Sequence, residues 1–173
     1  MHRKSFLSPC GDYRFSLECK ISLKRKKILF IGLNPSKAND FRDDPTLRRL
    51  VNFSNSWGYG TLVIVNLFSV ISSSPSIIKN CSDPIGKSND DEIKNRLLEW
   101  SKSTEWNLWM GWGDKGVWQG RDLAINRLIK NYYFKRYEKF PNSCGPLVIG
   151  LTKAGNPRHP LYVQKVEKLK AFS

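Results

Sequence analysis

Histidine, cysteine and acidic side chains are the scarce chemistries of this sequence. Of 173 residues, two are histidine and four are cysteine. Cys10, Cys19, Cys81 and Cys144 form no C-x-x-C pair and none lies beside a histidine, so the spacings of common zinc and redox sites are missing. A site assembled from distant cysteines stays open, with scattered free thiols as the plainer reading. Acidic residues number 15 against 29 Lys and Arg, which leaves few groups to chelate a hard cation, and no metal is expected. No apolar run approaches the length of a membrane helix, and the basic start Met1–Lys4 is not followed by a signal-peptide core. The expected setting is cytoplasmic, where thiols stay reduced.

What is present points to a globular chain with an anionic partner. Hydrophobic residues make up 40% and aromatics 12%, enough for a packed core. The length suits one domain spanning residues 1–173 rather than two. A net charge of +14 concentrates polyanions at the surface and speeds their capture, which favours nucleic acid. The plainer alternative is charge that only aids solubility.

Residues 5–23 alternate polar and apolar around Gly11-Asp12, which predicts an N-terminal hairpin. Ile28–Ile31, closed by Gly32, predicts a buried parallel strand. Asp44-Pro45-Thr46 opens a helix with Asp as N-cap and Pro at its first position, ending near Trp57-Gly58. Residues 61–67 predict a second buried strand, and 69–88 a long loop. A helix capped by Ser88 follows to about Ser101. A third strand is expected at 106–112, a helix at 116–133, a basic aromatic turn after it, and a fourth strand at 146–151. Leu161, Val163, Val166 and Leu169 give the tail helical spacing. The alternation predicts an α/β fold: a three-layer αβα sandwich on a central, mostly parallel four-stranded sheet.

In such sheets ligands bind beyond the carboxyl ends of the strands. Three polar clusters fall there: Gly32-Leu33-Asn34-Pro35-Ser36, Asn66-Leu67-Phe68 and residues 152–160. The Asn34 amide can hold a water or a carbonyl, or simply close a turn. Asn66 interrupts an apolar strand, so its amide either caps a loop or reads a ligand edge such as that of a base. His159, set between Pro157 and Pro160, is a candidate donor to a developing anion, or a satisfied surface histidine. Asp44 fits a cap, whereas Asp40 or Asp43 could orient a water, stabilise a cationic sugar, or hold a metal as in nucleases. Most of the six tryptophans belong to the core; Phe41 is the aromatic candidate for stacking a base, with Phe68 and Tyr59 as further surfaces. Residues 132–139 interleave basic and aromatic side chains, suiting either a phosphate track or a solvated helix end.

Asn34-Pro35-Ser36, residues 43–49, Trp57-Gly58-Tyr59-Gly60, Asn66-Leu67-Phe68, Asp83-Pro84-Ile85-Gly86, Asn89-Asp90 and residues 152–162 together resemble a domain-of-unknown-function family of bacteria and phages. The chain also resembles the uracil-DNA glycosylase superfamily, in particular its mismatch-specific branch. Gly32-Leu33-Asn34-Pro35 is similar to the first motif of that superfamily, and His159-Pro160-Leu161 to its C-terminal wedge loop, with Asn156-Pro157 as a competing match. The likeness implies a uracil-DNA-glycosylase-like fold and removal of a base from single- or double-stranded DNA to leave an abasic site. It implies that Asn34 positions water, Asn66, Leu33 and Phe68 hold the base, and His159 stabilises the departing base anion. Leu161 or Tyr162 would fill the gap left by the flipped nucleotide, and Arg158, Lys153, Arg48 and Ser36 would contact DNA. The Gln-Asp-Pro-Tyr motif of the uracil-specific enzymes is missing, so a modified base of phage DNA, such as glucosylated hydroxymethylcytosine, becomes a candidate, with antiviral defence as the purpose. The chain is expected to act as a monomer without a cofactor. A non-catalytic nucleic-acid-binding module and a metal-dependent nuclease are the rivals.

Overall fold

The computed structural model describes residues 1–37 and 44–173. β1 (His2–Leu7) and β2 (Arg14–Lys20) form the expected antiparallel hairpin. β3 (Lys27–Gly32) leads to α1 (Pro45–Ser56), β4 (Thr61–Asn66), the short α2 (Ile77–Asn80) and α3 (Asn89–Lys102). β5 (Trp106–Met110), a 3-10 segment Asp114–Gly120, α4 (Arg121–Lys139), β6 (Leu147–Val148), a 3-10 turn Pro160–Tyr162 and β7 (Lys170–Ala171) complete the order.

One seven-stranded mixed sheet runs β1-β2-β4-β3-β5-β6-β7. The β4–β3, β3–β5 and β5–β6 pairings are parallel, and β1–β2, β2–β4 and β6–β7 are antiparallel. The expectation of four strands therefore undercounts, because the hairpin and the tail both join the sheet. Alternate residues of each strand serve different faces. Leu29, Ile31, Val63, Val65, Leu108 and Met110 pack with Ile93, Leu97 and Trp100 of α3 and Ile125 and Ile129 of α4. Ile28, Phe30, Leu62, Ile64 and Trp109 face Leu47, Leu50 and Phe53 of α1. Burial on both faces is why these strands read as unbroken apolar runs.

The chain passes from β3 to β4 on one side and returns to β5 on the other, so the strand order reverses at β3. Its two connections carry α1 and α3 to opposite faces, which opens a crevice at the strands' carboxyl ends. Asp44 caps α1 as expected, its Oδ1 accepting from the Leu47 N–H at 2.7 Å with Pro45 at the first position.

Four local expectations are corrected. Ser88 makes no side-chain cap bond, and Asn89 instead donates to the carbonyls of Asn66 (3.0 Å) and Leu67 (3.2 Å), tying α3 to the end of β4. The basic aromatic segment 132–139 is the end of α4, as its helix-end reading has it, rather than a turn. Its Arg136 is fully buried and donates to the carbonyls of Trp100, Ser103 (2.7 Å), Trp106 (2.9 Å) and Cys144 (3.2 Å). That guanidinium satisfies orphan carbonyls at the end of α3 and is no part of a phosphate track. The fourth strand shrinks to two residues. The tail is not helical: Val163 is extended, Val166 is 82% exposed, and Lys170–Ala171 pairs with β6. Covering an open sheet edge gives those backbone groups partners that an isolated helix would not supply. Among the described residues no helix is long and apolar enough to cross a membrane.

Candidate functional site

The carboxyl ends of β3, β4 and β5 finish together, with Gly32 opposite Asn66 and Ile31 opposite Met110. Beyond them lies a cavity of about 630 Å³, within the roughly 300–1,000 Å³ of ligand clefts. Phe30, Leu33 and Ile64 are among its apolar walls; Asn34, Ser36, Asn66, Asp114, Thr152 and His159 are polar; Arg14, Lys115, Lys153 and Arg158 are cationic.

Asn66 forms part of the lining and is 5% exposed. Its backbone is fixed from outside, since Asn89 holds its carbonyl and Arg121 Nε donates to the next carbonyl, Leu67, at 2.9 Å. Its side-chain amide makes no hydrogen bond with any described residue. The close approach requires Gly32: a Cβ there would stand 2.7 Å from Asn66 Oδ1 and 2.9 Å from the Phe30 ring. Burying an amide without a partner costs about 1–3 kcal/mol unless water or a ligand serves it.

Asn34 is committed on one side. Its Nδ2 donates to the carbonyls of Pro35 (3.3 Å), Ser72 (3.3 Å) and Val70 (3.5 Å), stitching the loop after β3 to the segment after β4. The turn reading of this residue therefore holds, and its Oδ1 accepts nothing from the described residues.

His159 is neutral at physiological pH. Burial pushes its imidazole down to about 4, and Nδ1 accepts from the Leu161 N–H at 3.3 Å, which assigns the ring proton to Nε2. The loop is held by α1 through Arg49 Nε, which donates to the Pro160 carbonyl at 2.6 Å. Gly113 allows the chain after β5 to turn beside it with φ of 72°, its N–H bonded to the Pro157 carbonyl at 2.8 Å.

Asn34, Asn66, His159, Leu33, Ser36, Lys153, Arg158, Leu161 and Tyr162 thus share one cavity, and Tyr162 stands 80% exposed at its rim. Phe68 does not join them. It is wholly buried in the core under α3, because the chain after β4 folds inward to bond with Leu33. Arg48 is on the exposed face of α1, outside the lining. Asn156 bonds to the Asp114 carboxylate rather than lining the cavity, which separates it from His159. Asp40, Phe41 and Asp43 lie outside the described residues. No cluster of three potential metal ligands occurs among the described residues.

Sequence reasoning missed Arg14, Trp112, Asp114 and Lys115. Residues 112–115 follow a strand and were open to the same carboxyl-end rule. Arg14 had no such signal, since only the β2–β4 pairing brings it to the site, where Nη2 donates to the Ser36 carbonyl at 3.2 Å.

A family model described as "protein of unknown function (DUF1643)" matches residues 14–161. The chain belongs to the DUF1643 family. No curated protein and no solved structure matches it. Within this DUF1643 chain, the matched span runs from Arg14 to Leu161, so it includes every lining residue except Tyr162.

Proposed function

We propose that this DUF1643 chain is a DNA glycosylase of the uracil-DNA-glycosylase type, which flips a base into the cavity and hydrolyses its N-glycosidic bond. The observation that carries the reading is the Asn66 amide, buried at the strand ends without a hydrogen-bond partner among the described residues. An amide presents one donor and one acceptor side by side, the pattern that matches the edge of a nucleobase. Extruding a base costs a few kcal/mol of stacking, which contacts in the cavity and along the phosphates offset. Lys115, Lys153 and Arg158 line the cavity and supply the positive charge that such contacts need.

In the proposed reaction the C1′–N bond breaks with its electron pair passing to the base. His159 Nε2–H donates a hydrogen bond to that anion, and the neutral imidazole suits a donor that must not pair with carboxylates beforehand. Asn34 Oδ1 accepts from the attacking water. Leu161 and Tyr162 fill the stack. A modified base of phage DNA is the proposed substrate class, and a cytoplasmic monomer the proposed form.

The test is incubation of the full chain, in chelator, with duplexes and single strands carrying uracil, mismatches or bulky modified cytosines. Alkali-labile abasic sites, lost in Asn66→Ala and His159→Ala with folding retained, are expected. If about six phosphates are engaged, affinity should fall about a thousandfold between 50 and 200 mM salt. Binding without product from any base would leave only a nucleic-acid-binding module. Direct strand cuts abolished by chelator would indicate a nuclease.

A further inference from the structure

Asp114 is the single carboxylate among the described residues of the cavity wall, in the company of Arg14, Lys115, Lys153 and Arg158. It forms no ion pair with any described residue. Its Oδ1 accepts instead from two neutral donors, Thr152 Oγ1 at 2.5 Å and Asn156 Nδ2 at 2.8 Å. Both belong to a closed turn in which Thr152 N–H bonds to the Asn156 carbonyl at 2.8 Å, Asn156 N–H bonds to Thr152 Oγ1 at 3.2 Å, and Gly155 is left-handed at φ of 85°. One oxygen is thereby aimed by the fold, while Oδ2 accepts nothing from the described residues. The neighbouring Gly113 packs against His159, where an added Cβ would lie 3.7 Å from the His159 Cβ. A fixed negative charge and the donor for the leaving base therefore occupy one side of the cavity.

The two hydrogen bonds, that of Asn156 first, hold the carboxyl below the usual carboxylate range. A group that stays ionised so readily is a weak base toward neutral water. It is well suited to a cation, or to the acidic oxonium formed once water has bonded to carbon.

Resting on the glycosylase reading, we propose that Asp114 is a catalytic carboxylate, which faces the sugar and stabilises the positive charge that builds on it as the base leaves. The C1′–N bond breaks with its electrons on the base, and the water oxygen bonds to C1′. The proton shed by that oxygen passes to Asp114 and from there to the base anion, leaving the abasic sugar and the neutral base. This places the negative charge on the loop after β5, independently of Asp40 and Asp43.

The experiment compares full-length wild type with Asp114→Asn, which keeps an Oδ1 acceptor for Thr152 and Asn156 and removes only the charge. The probes are two duplexes alike except for the abasic analogue, a cationic pyrrolidine or a neutral tetrahydrofuran. Wild type should prefer the pyrrolidine at least about tenfold, and Asp114→Asn should lose that preference with tetrahydrofuran affinity unchanged and cooperative unfolding retained, at a midpoint lowered by the weaker hydrogen bonds to Thr152 and Asn156. On a cleavable substrate kcat should fall at least about a hundredfold, and Asp114→Glu should regain the cation preference. Retained preference or unchanged kcat in Asp114→Asn overturns the assignment, and so does a preference lost together with the fold, which would make the carboxylate a staple for the turn. Absence of excision by wild type on every base sinks the glycosylase reading instead, whichever analogue binds better.

Discussion

The imidazole of His159 makes a prediction that can be worked through without knowing any substrate. Burial lowers its folded-state value to about 4, against about 6.5 for an unfolded chain. The unfolded state therefore binds more protons between those values, and stability must fall as pH drops. The contribution is negligible above pH 8 and reaches about 2 kcal/mol of lost stability at pH 5, approaching about 3 kcal/mol near pH 4. Carboxylates titrate in the same range, so the informative quantity is a difference between proteins. His159→Gln keeps an acceptor for the Leu161 N–H but cannot take up a proton. Urea unfolding at pH 8, 7, 6 and 5 should give curves for wild type and variant that converge as pH falls, by about 2 kcal/mol at pH 5. Parallel curves would refute the burial of a neutral ring, as would an imidazole NMR titration centred near 6.5. The same titration predicts that any reaction depending on the Nε2 donor persists well below pH 6.

Other substitutions separate site from scaffold. Gly32→Ala drives a Cβ toward Asn66 Oδ1 and the Phe30 ring, so ligand binding by calorimetry should be lost while stability falls by about 1–3 kcal/mol. Arg136→Met leaves four carbonyls without their donor, and denaturant titration should show a loss of about 3–5 kcal/mol, with DNA affinity of the folded protein unchanged. A selective loss of DNA binding would instead assign Arg136 to a phosphate track. Phe68→Ala, in a fully buried side chain, should cost about 3–5 kcal/mol of stability as a core cavity rather than act on base binding.

Much of the layout was legible in order of sequence. Ile28–Ile31 and residues 61–67 are apolar on both faces, and Asp44-Pro45 marks a helix start in any context. The carboxyl-end rule brings Asn34, Asn66 and His159 to one rim from the sequence, because alternating strands and helices leave few topologies. The same rule failed for Phe68, where one residue past the strand end the chain turns inward. Asp114 is hard to see by that rule, because it sits in the short gap between an expected strand and an expected helix. Spacing in the tail suggested a helix because Leu161, Val163, Val166 and Leu169 satisfy a helical period loosely. An unpaired sheet edge outweighed it.

Composition and local pattern by themselves determined the class of fold, the hairpin, α1 and its cap, the buried strands, and a strongly basic chain with polar groups after its strands. These follow from rules acting over a few residues: propensity, capping and the period of burial. Tertiary structure alone decided that Asn34 spends its amide protons tying the loop after β3 to the segment after β4, that Asn66 is left without a side-chain partner among the described residues, and that Arg14 and Asp114 line the cavity. It also decided that His159 is neutral and that Arg136 belongs to the core. Desolvation and hydrogen-bond satisfaction depend on which distant groups meet, and no local window contains that information.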